Sequence, residues 1–322
     1  MHLPAIPYSK VSLEAEIAGA QVVAFNVGPG GEAWLVLALQ ALDYRTEDNG
    51  FATFAKTMPD APQRYRVLCV RSGRVELDVV IDGEPFNIHE IQPVDDLLLL
   101  TCGRSQYRGP DDFDLNGRLY SRDGRFVRGI LLGDGIETIQ ATRGGEIWAG
   151  YFDEGVFGNF GWDAPVGASG LVAWSPAGGK LYEYEPACGA RSIDDCYALN
   201  VVSDAEAWCC YYSDFPLVRL HEKRIASVWE IPISGSHAFA VGRGHALFAG
   251  GYGARDTYHL LALGPNGRAS EIRRFELRDS QGAVVKAERI VGRGESLHVL
   301  SATTLHQIDI RAVLASASST GG

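Results

Sequence analysis

No apolar run in this chain approaches the ~20 residues that a membrane-crossing helix needs, so no segment is expected to span a bilayer and no membrane partner is expected. Positive charge is also short. Lys and Arg number 29 against 40 Asp and Glu, a net charge of -11, so the average surface repels phosphate backbones and nucleic acid is not an expected partner. The opening residues Met1 to Lys10 lack the basic start, apolar stretch and cleavage site of a secretory signal, which points to a cytoplasmic protein. Cysteine is sparse at six, and Cys69, Cys102, Cys209 and Cys210 fall inside predicted strands, where a thiol behaves as a small hydrophobe. Only Cys188 and Cys196, bracketing a loop, are placed so that they could pair, and a reducing compartment argues against the bond. Helical periodicity is missing throughout.

What the chain does contain is one short text written six times. Thr142-Arg-Gly-Gly-Glu-Ile-Trp148 is a polar turn feeding a strand, and Gly28-Pro-Gly-Gly-Glu-Ala-Trp34 and Ser203-Asp-Ala-Glu-Ala-Trp208 repeat it closely. Val94-Asp-Asp-Leu-Leu98, Gly242-Arg-Gly-His-Ala-Leu247 and Gly292-Arg-Gly-Glu-Ser-Leu297 keep its rhythm. Each copy lies between further short apolar strands, and a spacing of roughly 40–65 residues suits propeller blades better than solenoid rungs. The fold expected is all-β: a six-bladed β-propeller of four-stranded antiparallel blades, forming one domain over residues 1–314.

The blades fall at about 21–82, 86–132, 137–187, 194–232, 237–278 and 285–310, with 315–322 as a flexible tail. The first blade reads as strands 21–27, 34–39, 64–71 and 75–82; the second opens with a strand at 86–91. Asp123-Gly124 and Asn266-Gly267 are hairpin signals between outer strands. The last blade has only three strands of its own. Val11-Ser-Leu-Glu-Ala-Glu-Ile17, which alternates as a strand, is expected to supply the fourth and remove the free sheet edge.

Gly135-Ile-Glu-Thr-Ile-Gln-Ala-Thr-Arg-Gly-Gly-Glu-Ile-Trp-Ala-Gly-Tyr-Phe-Asp-Glu-Gly-Val156, followed by Gly170-Leu-Val-Ala-Trp-Ser-Pro-Ala-Gly-Gly-Lys180, resembles the repeat of the two-component-regulator type of bacterial propeller, and more loosely the streptogramin-lyase type. One blade carries the match. The resemblance implies the fold and transfers no activity, because such propellers include sensors, scaffolds and enzymes.

Four inserts, 40–63, 103–116, 153–169 and 250–258, fall on the rim where the inner strands begin, and long loops gathered on one rim suggest a binding surface. The richest combines Phe157, Phe160 and Trp162 with Asp153, Glu154 and Asp163. Aromatic bodies with polar rims suit a ligand or peptide platform, although the same aromatics suit packing on a neighbouring blade. Tyr212 and Asp214, Tyr252 and Arg255, and Arg104 and Tyr107 are expected on the same rim, the arginines as forks for an anion or as ordinary surface ion pairs. Glu137, Asp195, His237 and Glu288 start inner strands, and a ring of them would resemble the divalent-metal centres of some six-bladed lactonases and propeller lyases. The sequence thus favours a recognition or scaffold propeller that binds a protein segment or a small polar ligand, without a required cofactor. Its rival is a lactonase or lyase using calcium or magnesium at the channel.

Overall fold

The computed structural model describes residues 6–48 and 52–318. They form a six-bladed β-propeller of four-stranded antiparallel sheets, each running in chain order from inner to outer strand apart from the last. By contact density the chain divides into two compact units: 17–185 with 193–195, holding the first three blades, and 1–16, 186–192 and 196–322, holding the other three. No helix among the described residues is long and apolar enough to cross a membrane.

In the first unit the opening blade is built from Gln21–Val27, Ala33–Ala38, Gln63–Arg71 and Arg74–Glu84. Its second strand is buried at every position, which explains its unbroken apolar text. The second blade begins at Glu90–Val94, not at residue 86. Phe86 and Ile88 are apolar because they are buried in the core, and the Tyr65 hydroxyl, not a neighbouring strand, accepts the Ile88 N–H at 3.3 Å. The 40–63 insert also carries a hairpin of its own, Arg45–Asp48 against Ala52–Ala55.

The repeated Glu-x-Trp text has a mechanical meaning. At Trp34 and Trp208, the indole Nε1 donates to the carboxylate two residues earlier, Glu32 at 3.3 Å and Glu206 at 2.7 Å. An arginine on the third strand takes the other oxygen, Arg71 at 3.2 Å and Arg219 at 2.6 Å. The turn, the second strand and the third strand are thereby locked by one carboxylate. Trp148 occupies the same place in the third blade, 3% exposed and against the Tyr182 ring at 5.6 Å.

In the second unit, Ser9–Ser12 pairs antiparallel with Thr304–Asp309 as the outer strand of the last blade, with Lys10 opposite His306 and Val11 opposite Leu305. The strand expected over 11–17 is therefore real but earlier and shorter. Residues Glu14–Ile17 form a helical turn that buries Ile17. At the other end Ile310–Ser318 is a helix, so the tail expected from residue 315 is helical through 318. Ile310 and Val313 of that helix belong to the core of the last two blades.

Buried amides join the inner strands within each unit. Gln92 donates to the Val27 carbonyl at 3.2 Å and accepts from the Ala141 N–H at 3.0 Å; Asn26 donates to the Ile139 carbonyl at 2.9 Å. In the other unit Asn200 does the same work for the fourth, fifth and sixth blades. Its Nδ2 donates to the carbonyls of Phe239 at 2.9 Å and Gly294 at 3.1 Å, while its Oδ1 accepts from the Gly294 N–H at 2.8 Å. All six cysteines are free, Cys188 and Cys196 included.

Candidate functional site

The two richest inserts of the first unit fold onto each other. The Tyr107 N–H donates to the Phe160 carbonyl at 2.8 Å, the Gln106 amide reaches the same carbonyl at 2.9 Å, and the Trp162 indole donates to the Ser105 carbonyl at 2.7 Å. Trp162 is 7% exposed, with its ring 4.8 Å from that of Tyr107. Of the two uses open to these aromatics, Trp162 serves packing against the second blade.

Arg104 is the pin of this interlock. It is buried, donates to Asp134 at 2.9 Å and Glu154 at 2.5 Å, and its guanidinium lies 4.1 Å from the centre of the Phe160 ring. Burial pushes the Asp134 carboxyl up to about 6, against the opposing pull of Arg104 and the backbone N–H groups of Ser105 and Gly135. For Glu154 burial acts in the same upward direction, but hydrogen bonds from Arg104 and Asn159 outweigh it and the carboxyl is held below its usual range. A fork already engaged by two carboxylates and a ring is not free to take a ligand anion. What this corner still offers to solvent is Phe157, 68% exposed, with Asp153 and Asp163.

The second unit is more open. A cavity of about 580 Å³ lies where the inner strands Ala238–Gly242 and Arg289–Arg293 begin, and it gathers four of the residues nominated from sequence: His237, Tyr252, Arg255 and Glu288. Its wall is set by backbone. Gly235 has φ +74, and a Cβ there would meet the Tyr252 ring at 2.4 Å, so only glycine lets that ring lie across the chain. The Tyr252 N–H donates to the Ser234 carbonyl at 2.9 Å, and its hydroxyl meets that of Tyr197 at 2.5 Å. Tyr197 in turn stacks on His237 at 4.7 Å and meets Phe215 edge-on at 5.0 Å. Tyr212 continues this aromatic ridge at 5.8 Å from Phe215. Tyr252 and Tyr212 remain 63% and 49% exposed, large rings held by their neighbours yet turned to water.

Charge on this wall is mixed. Lys286 is ion-paired with Asp256, while Arg255, Glu288 and Arg289 stand exposed at the cavity. Asp214, expected to face a ligand, pairs with Arg191 at 2.9 Å. Tyr197, Phe215, Lys286 and Arg289 were not nominated from sequence. Tyr197 could have been, since it lies two residues beyond Asp195 on a strand and so on the same face. Of the four residues expected to ring a metal, Glu137 and Asp195 belong to one unit and His237 and Glu288 to the other. Among the described residues no group of three or more His, Cys, Asp or Glu side chains could hold a metal ion.

Comparison with known proteins places the chain by shape. The YxzG family matches residues 183–308, and no curated protein matches the sequence. Among solved structures, a chain of the mitotic checkpoint complex aligns with a TM-score of 0.52 at 6% identity, covering 96% of this chain and 93% of its own. A catalytically inactive virginiamycin B lyase from Staphylococcus aureus, solved with quinupristin, aligns at a TM-score of 0.47 and 10% identity over 94% of this chain and 99% of its own. The WD40 β-propeller domain of Doa1 aligns at 0.47 and 9% identity over 94% and 96%. These likenesses are of fold, as is the family resemblance seen in the third blade.

Proposed function

We propose that the protein is a recognition propeller that holds a polar protein segment in the cavity between its fifth and sixth blades. One observation carries this reading: an aromatic ridge with exposed phenol rings borders a 580 Å³ cavity whose rim carries Arg255, Arg289 and Glu288. Rigid phenols provide contact area at little conformational cost, and cations beside them select a carboxylate-bearing side chain. The solved neighbour from the mitotic checkpoint complex is part of a protein assembly, which agrees with a protein partner. A small polar ligand offering the same groups would use the same wall.

Selection of displayed peptides on the intact protein tests the reading. Enriched peptides should carry an acidic residue near an apolar or aromatic one, and Tyr252→Ala and Arg255→Ala should each weaken them at least about tenfold, the worth of ~1.4 kcal/mol. Enrichment insensitive to both substitutions rejects this site. A divalent-metal lactonase or lyase is the second reading, supported by His237 and Glu288 lining one cavity. Calorimetric titration with calcium and magnesium checks it, and heat unchanged in His237→Ala would reject it. We further propose a cytoplasmic setting, in which six thiols stay reduced; fractionation of host cells checks it.

A further inference from the structure

A second cavity, of about 460 Å³, opens on the outer part of the last blade. Strand register builds one of its walls. Tyr8, Lys10 and Ser12 alternate along the chain entering and forming the edge strand, and Lys10 and Ser12 stand opposite His306 and Thr304 on the next strand. Residues alternating on one strand, and those directly paired across two, share a sheet face. The facing wall comes from the loop between the last two blades. That loop is pinned: the Asp279 carboxylate accepts the N–H groups of Gln281 at 2.8 Å and Ala283 at 2.9 Å, and the Tyr8 hydroxyl donates to the Arg278 carbonyl at 3.0 Å.

The lining is rich in donors. Lys10 and Lys286 bring ammonium groups, and Ser12, Ser301 and Thr304 bring hydroxyls. His306 is 5% exposed, and its buried Nδ1 has no hydrogen-bond partner among the described residues. A buried polar atom left unpaired is costly and marks a place where a partner is expected. Asp279 is the one carboxylate of the lining, and its Oδ1 is already engaged by the loop backbone. Lys286 also pairs with Asp256 outside the lining, yet the lining itself carries two cations to one carboxylate in a chain of net charge -11.

We propose that this cavity is a binding site for a small organic phosphate. Lysine ammonium groups hold phosphate as point charges without needing a fork, and hydroxyls on several sides supply the further donors that a tetrahedral oxyanion with more than two acceptor oxygens can use. No arginine lines the cavity among the described residues. The volume exceeds what a bare phosphate ion fills, which leaves room for an attached polar group that the hydroxyls can meet. This site is independent of the peptide reading, although Lys286 lines both cavities.

Isothermal titration of the intact protein with glycerol 3-phosphate, inorganic phosphate and succinate tests the proposal. Saturable binding in the order glycerol 3-phosphate, phosphate, succinate is expected. Lys10→Gln, an exposed position, should weaken glycerol 3-phosphate about tenfold, the loss of one charge-assisted hydrogen bond. His306→Gln should weaken it as well, while Arg255→Gln, in the other cavity, should leave it unchanged. Absence of saturable binding overturns the proposal, as does a loss in Arg255→Gln equal to that in Lys10→Gln. Tighter binding of succinate than of either phosphate overturns the ligand class.

Discussion

Replacing Asn200 asks how much of the second unit's stability rests on one side chain. Asn200 is fully buried and is bonded to Phe239 and Gly294, on the inner strands' side of the fifth and sixth blades. After Asn200→Ala the Gly294 carbonyl keeps the Val241 N–H at 2.8 Å, but the Phe239 carbonyl and the Gly294 N–H each lose the Asn200 partner. Water has little room to take over. A Cβ on Gly292 would lie 1.8 Å from the Phe239 carbonyl oxygen, so the backbones are already in close contact there. Two stranded polar groups at about 1–3 kcal/mol each give an expected loss of about 2–6 kcal/mol. Asn200→Leu keeps the branched outline in a bulkier form and makes no hydrogen bonds, so it separates lost pairing from an emptied space. Urea unfolding followed by tryptophan fluorescence should show both variants displaced to lower urea, by about 0.7–2 M for a slope of about 3 kcal/mol/M. A leucine variant within about 0.5 kcal/mol of the parent would refute the reasoning, because it would mean that filling the space is enough.

Trp148→Ala should cost about 3–5 kcal/mol through the cavity it opens beside Tyr182, read as a fall in melting temperature. Trp162→Ala should also lower the melting temperature, by about 2–4 kcal/mol in equivalent stability, since its ring is buried and its indole is bonded to Ser105. An unchanged melting temperature would return Trp162 to the solvent. Two buried groups should act on stability with opposite signs in pH. Asp134 holds its proton to about pH 6 in the fold and to about 3.8 otherwise, so its burial destabilises increasingly as pH rises from about 4 to 6, by at most about 3 kcal/mol. Burial, then the Arg293 charge, lowers His298 to about 4 from 6.5, so its neutral fold is destabilised as pH falls through that range, by a similar amount. Calorimetric melting between pH 4 and 7 should therefore show less acid loss in His298→Gln and more in Asp134→Asn; parallel profiles would contradict both assignments.

The sheets were legible where local chemistry and burial agree. Gln21–Val27 was read to the residue, and Gly124 and Gly267 sit at positive φ in the hairpins their dipeptides announced. Legibility failed where apolarity reported burial without strand pairing, as at Phe86 and Ile88, and where an alternating pattern was too short to distinguish a strand from the helical turn Glu14–Ile17. The rim residues were legible as types and not as partnerships. Arg104 and Asp134 lie thirty positions apart, so nothing local reveals that a nominated anion fork is already occupied. The aromatic ridge was half visible: Tyr212 and Tyr252 were nominated, while Tyr197 and Phe215, which hold them in place, read as ordinary strand and turn residues.

The clasp between Ser9–Ser12 and Thr304–Gln307 joins positions about 300 residues apart. A contact between residues so far apart in sequence carries a large loop-closure cost, and it cannot form until the strands at both of its ends are present. The phosphate pocket proposed above takes its wall from both sides of that clasp. Ligand uptake would therefore register, in a single signal, that the two distant segments have found each other.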